Sequence, residues 1–187
     1  MRWWPLAGLA ALVLLGLAVG KGSTPVDDWF QELGMRHPDL GRLLVFTDSR
    51  VVVAAYVAVV AAALLRRRRR LAAIAAVTPM VAVAAARFGK RAFGRLKDGE
   101  VCFPSGHTTV TVVVLAMAVL LVGVAAWAVV GAAVIMALAV VGQAVSYHYF
   151  TDAIGALLLG TALVCAAVSA ARIDRRQCGC ELDHKNR

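Results

Sequence analysis

Apolar residues run along this chain in six long stretches, at about 3–20, 50–65, 71–87, 107–122, 128–145 and 153–171. Runs of that length with almost no charge predict membrane helices, since the hydrocarbon core of a bilayer needs about 20 apolar residues to cross it. The expectation is an all-α membrane protein, a six-transmembrane-helix bundle that fills residues 1–187 as a single domain. No internal repeat is evident. The first stretch has a second reading. Arg2, an apolar run and Ala18-Val19-Gly20 resemble a secretory signal with a small-residue cleavage site. The run is longer than a signal core, and Trp3-Trp4 suits an interfacial anchor, so an uncleaved first helix is expected. Either way Lys21 lies outside.

The polar intervals are more informative. Residues 21–48 hold Pro25, Asp27, Asp28, His37-Pro38 and Asp48, with short apolar faces at Trp29, Phe30 and Leu33 and at Leu40, Leu43 and Leu44 that suit a membrane surface. Residues 88–104 are polar and basic, and "SYHYFTD" (146–152) parts the last two stretches. Glycine and alanine in "TDAIGALLLGTA" suit close helix packing.

Composition agrees with the pattern: 61% of residues are hydrophobic, mean hydropathy is +0.77, and a soluble domain is closer to half apolar. The net charge of +9 would suggest nucleic acid in a soluble protein. Its placement says otherwise. Arg66 to Arg70 read as a topology signal on the cytoplasmic side, with Arg2, Arg172, Arg175 and Arg176, and no nucleic acid partner is expected. Parity then puts 21–48, 88–104 and 146–152 outside. The outer loop nevertheless carries Arg87, Lys90, Arg91, Arg95 and Lys97, against the sorting rule. An anionic ligand would explain them.

Three outer elements converge on such a ligand. "GKRAFGRLKDG" (89–99) is cationic, with glycines that permit close backbone approach. "PSGH" (104–107) stands at a helix N-terminus, where unpaired N–H groups and the helix dipole favour an anion. His148 has Asp152 four residues later, and a carboxylate there can fix the imidazole tautomer. Two histidines, a carboxylate and several cations suit phosphoryl transfer: one histidine attacks phosphorus, the other protonates the leaving oxygen, and the cations neutralise the phosphate.

These residues resemble the type 2 phosphatidic acid phosphatase superfamily of membrane lipid phosphatases. Its motifs are Lys-x6-Arg-Pro, Pro-Ser-Gly-His and Ser-Arg-x5-His-x3-Asp. The second is intact at Pro104-Ser105-Gly106-His107. The first appears as Lys90-x6-Lys97-Asp98, with Arg95 two positions earlier. The third keeps His148 and Asp152 but has Val141 and Gly142 at the Ser-Arg positions. The resemblance implies His148 as nucleophile forming a phosphohistidine, Asp152 as its orienting group, and His107 as general acid and then base. It implies Lys90, Lys97 or Arg95, and the Ser105 and Gly106 amides, as phosphate ligands, with no cofactor and no metal. Arg95 or Arg91 is expected to compensate for the missing arginine. Gln143 offers a neutral hydrogen bond, in a register off by one to two residues.

The remaining chemistry is plainer. A cysteine phosphatase loop needs an arginine six residues after its nucleophile, and after Cys102 that place holds Thr108, so Cys102 reads as a packing residue. Cys178, Cys180 and His184 read as a reduced tail rather than a metal site. The expected function is hydrolysis of a lipid phosphomonoester or diphosphate, foremost a polyprenyl (di)phosphate carrier, at the outer face of a bacterial-type plasma membrane. The rivals are a glycerolipid phosphatase using the same residues and a non-catalytic phospholipid-binding relative.

Overall fold

A computed structural model of the chain describes residues 3–171. Arg2, Arg172, Arg175, Arg176, Cys178, Cys180 and His184 lie outside the described residues. The elements are α1 (Trp4–Val19), α2 (Pro25–Arg36), a 3-10 segment (Pro38–Thr47), α3 (Ser49–Leu65), α4 (Arg69–Phe93), a hairpin of β1 (Leu96–Lys97) and β2 (Glu100–Val101), α5 (Gly106–Val122), α6 (Ala126–Ala144) and α7 (Phe150–Ala170). The protein is helical, as its apolar runs predict.

Among the described residues four helical runs are long and apolar enough to cross a membrane: Pro38–Leu65, Arg69–Phe93, Ala126–Ala144 and Phe150–Ala170. Trp4–Val19 and Gly106–Val122 are equally apolar but have 16 and 17 residues. At 1.5 Å per residue they rise only about 25 Å, short of a hydrocarbon core of about 30 Å.

Local signals set the boundaries. Thr24 and Asp27 form a capping box at the start of α2, with Pro25 at its first position. Asp48 caps α3 by accepting the Arg50 and Val51 amides at 2.9 and 3.3 Å. The basic stretch from 88, expected as polar loop, is helical to Phe93. Lysine, arginine and alanine there are good helix formers, and the stop is Gly94 in the left-handed region (φ 59°), whose amide donates to the Lys90 carbonyl. Lys90 therefore sits on a helix, and Arg95 starts a hairpin that turns at Asp98-Gly99, both with positive φ.

α5 is the central helix, packed on α3, α4, α6 and α7, while α1 lies along α7. The core packs alanines such as Ala63, Ala75 and Ala82 against larger side chains such as Val113 and Met117. The bundle has two chemically distinct ends. At one, Arg66 and Arg68 donate to the Leu121 carbonyl at 3.2 and 3.0 Å, and Arg70 reaches the Ala171 carbonyl, so arginines cap the last turns of α5 and α7. At the other end the hairpin, the start of α5, the end of α6 and the start of α7 meet.

Candidate active site

His148 lies in the short connection between α6 and α7. Its amide donates to the Gln143 carbonyl at 2.9 Å, which ties the connection to the end of α6. α7 starts only at Phe150, so His148 and Asp152 do not share a helix face. They meet because Asp152 turns back over the helix N-terminus. Its Oδ2 accepts the Tyr149 amide at 3.2 Å and lies 3.4 Å from His148 Nδ1. An Nδ1–H directed at this carboxylate leaves Nε2 as the free lone pair.

The other oxygen of Asp152 faces Arg95. Oδ1 accepts from Nη1 at 2.7 Å, Thr151 Oγ1 accepts from Nη1 at 2.6 Å, and the Gly22 carbonyl accepts from Nε and Nη2 at 3.0 and 2.8 Å. Asp27 Oδ2 accepts from Nη2 at 2.6 Å. The five N–H groups of a guanidinium are thus all engaged. Arg95 is 1% exposed and does not line the cavity described below. Expected to hold phosphate, it is instead the cation between two buried carboxylates. Burial works to raise the Asp27 carboxyl. The Thr151 amide outweighs it, with help from Thr24 and Arg95, and the carboxyl is held below its ordinary 3.8.

Beside this network opens a cavity of about 510 Å³, with Lys90, Lys97, His107 and His148 in its wall. Both histidines and both first-motif lysines of the sequence reading therefore share one space. Lys97 Nζ donates to the Ser146 carbonyl at 3.1 Å and stands 5.3 Å from the Tyr149 ring centre. Burial lowers its pKa from 10.5, partly countered by Asp98 and Asp152. Arg91 is exposed and stays outside the cavity.

The Ser105 amide is bound to the Asp152 carbonyl at 3.1 Å, and its hydroxyl accepts from Thr108 Oγ1, so Ser105 fastens α5 to α7. Gly106 lines a second cleft, of about 370 Å³. This cleft is walled by Val52, Val53, Val83, Ala86 and Val110, and it shares Thr47, Ser49, Lys90 and His107 with the first. An apolar groove thus opens directly onto the polar cavity.

Cys102 also touches the cavity. Burial, then the Asp152 charge, pushes its thiol up to about 12, and Sγ lies 3.3 Å from the Arg95 carbonyl. A neutral thiol is a poor nucleophile at pH 7. Among the described residues no three His, Cys, Asp or Glu side chains come together as a metal-ligand group.

Two features escape the sequence. Asp27 is fully buried beneath α7, although the sequence shows it only as one of the polar residues of the interval 21–48. Gly142, which stands where the motif resembled in the sequence has arginine, is pressed against the 3-10 segment: a Cβ there would stand 2.7 Å from the Leu43 carbonyl carbon. No side chain fits, and the neighbouring Gln143 lines the cavity instead. Compared with protein-family models, curated proteins and solved structures, the chain gives no match in any of the three.

Proposed function

We propose that this chain is an integral membrane lipid phosphatase working through a phosphohistidine, with a polyprenyl phosphate or diphosphate carrier as its foremost substrate. In this reading six helices span a bacterial-type plasma membrane, α1 and α5 included. Arg66 to Arg70 lie on the cytoplasmic side and the cavity faces out, in keeping with the preference of basic residues for the inside. The observation that carries the reading is the one cavity wall shared by His107, His148, Lys90 and Lys97, with Asp152 behind His148.

The reaction uses these groups in order. Asp152 holds the Nδ1 proton of His148, and Nε2 attacks phosphorus. The phosphorus–oxygen bond to the lipid breaks, and His107, protonated at the start, gives its proton to the leaving oxygen. Lys90 and Lys97 offset the charge on the transferring group. Neutral His107 then takes a proton from water, the hydroxide attacks the phosphohistidine, and inorganic phosphate leaves with His148 restored. The groove along Val52, Val83 and Val110 offers an apolar chain a path from the bilayer to the cavity.

The test is phosphate release from a polyprenyl monophosphate and its diphosphate by purified protein in detergent, with trapping of an acid-labile phosphoprotein. Wild type should turn over substrate and label, and His148→Ala should do neither. A wild-type preparation that binds the lipid and releases nothing would favour the non-catalytic alternative.

A further inference from the structure

Gln143 is 3% exposed and lines the cavity beside His148, and among the described residues its Oε1 is the buried side-chain polar atom that lacks a hydrogen-bond partner. Its hydrogen bonds leave the amide oxygen over. Thr47 Oγ1 donates to the Leu44 carbonyl at 3.1 Å and accepts from Gln143 Nε2 at 2.6 Å. The remaining amide atom is therefore the oxygen, which needs a donor. Leaving such a group unsatisfied is costly, and the terminal torsion of a glutamine is soft enough to turn Oε1 toward the cavity.

A dianionic phosphate has no proton to give to Oε1. A singly charged phosphoryl group has one. The charges of the wall point the same way. Lys90 and Lys97 are matched by Asp48 and Glu100, so the further cation in this wall is the protonated His107 of the proposed reaction. A diphosphate would bring several negative charges to a wall whose surplus is that single cation and which itself holds no arginine.

We infer that the cavity selects a phosphomonoester in its singly charged, protonated form, with the Gln143 carbonyl oxygen accepting the P–OH proton, and disfavours diphosphates. This rests on the phosphatase reading of the site and narrows its substrate class. Gln143 then replaces a charged contact with a neutral one that recognises a proton.

The experiment measures binding rather than turnover. Inorganic phosphate, sulfate and pyrophosphate are titrated by calorimetry into full-length protein in detergent at a fixed pH of about 6, near the second ionisation of a phosphate ester. Sulfate has the shape of phosphate but carries no proton at that pH. Wild type should bind phosphate at least about tenfold more tightly than sulfate and no more weakly than pyrophosphate. Gln143→Leu should lose about tenfold in phosphate affinity and keep its weak sulfate binding. Sulfate binding as tightly as phosphate in wild type, or pyrophosphate binding tenfold more tightly, would overturn the inference without any variant. So would unchanged phosphate affinity in Gln143→Leu. Lipid phosphate turnover, measured in parallel, tests the phosphatase reading separately, and its absence would leave the anion preference standing.

Discussion

Arg95 and Asp27 stand 68 positions apart in the chain and 2.6 Å apart in space, and neither side chain reaches solvent. Arg95 also holds Asp152, so one cation joins the surface helix α2 to the base of the candidate nucleophile. Removing it would leave two carboxylates buried without a counter-charge, and breaking a buried pair from one side typically costs about 3–5 kcal/mol. Arg95→Ala should therefore lower the thermal midpoint of the purified protein sharply. Arg95→Lys should recover only part of the loss, because an ammonium has three donors in place of five. Thermal unfolding in detergent reads both. Wild-type stability in Arg95→Ala, with weakened substrate binding alone, would restore Arg95 to the role of phosphate ligand.

The depressed Asp27 carboxyl carries a pH dependence of defined sign. Its folded pKa lies below the ordinary 3.8, so its stabilising contribution is complete above about pH 4 and is lost as pH falls through the folded value. Asp27→Asn removes the titration while keeping the shape. The gap in unfolding midpoint between wild type and Asp27→Asn should be constant at neutral pH and close as pH drops below 3.8. A gap that widens in acid would contradict the network.

Much of the set of residues gathered at the candidate site could be named before the structure, and the reason is local. Pro104-Ser105-Gly106-His107 is contiguous, the His148–Asp152 spacing is short, and the apolar runs locate the helices around them. What could not be read depends on contacts remote in sequence. Nothing near Arg95 says that Gly22 and Asp27 will enclose it, more than 65 residues earlier. Nothing near Gly142 says that Leu43 will press on it. Cationic loop residues look alike in one dimension. Lys90 points to the cavity, Arg91 is exposed and Arg95 is buried, because the helix runs on to Phe93 and the chain then turns at Gly94.

The chemistry makes a graded prediction. His148→Ala should abolish both turnover and the phosphoenzyme. His107→Ala should slow both formation and hydrolysis of that intermediate, by about 10²- to 10⁴-fold for loss of a general acid–base. Asp152→Asn should impair catalysis through the imidazole tautomer and also release Arg95. Its rate loss should thus come with a loss of stability that His148→Ala does not share. Rapid-quench kinetics and thermal unfolding on the same preparations separate the two effects.

Orientation can be read with single cysteines. In a background with Cys165, Cys178 and Cys180 replaced, Cys102 should stay unlabelled by a membrane-impermeant maleimide at pH 7, since its thiol is buried and pushed up to about 12. Gly99→Cys, in the exposed hairpin turn, should label on intact cells. Arg67→Cys, at the opposite end of the bundle, should label only after the membrane is opened. The reverse pattern would place the cavity on the cytoplasmic side.

The last prediction concerns the arginine this chain lacks. If the proposed phosphatase merely lacked a ligand, an arginine at position 142, where the resembled motif has one, would help it. Here the backbone forbids it. α6 approaches the 3-10 segment so closely that even a methyl group at Gly142 would stand 2.7 Å from the Leu43 carbonyl carbon and 2.9 Å from its oxygen. Backbone atoms cannot swing aside as the end of a flexible side chain can. Gly142→Ala should therefore cost about 1–3 kcal/mol through overpacking. Gly142→Arg should push the 3-10 segment off α6, and with it Thr47, the partner of Gln143. Both variants should lower the unfolding midpoint, and Gly142→Arg should reduce phosphate release rather than raise it. Gain of activity in Gly142→Arg at wild-type stability would show that the segment is free to move and that the vacancy at this position is functional rather than steric.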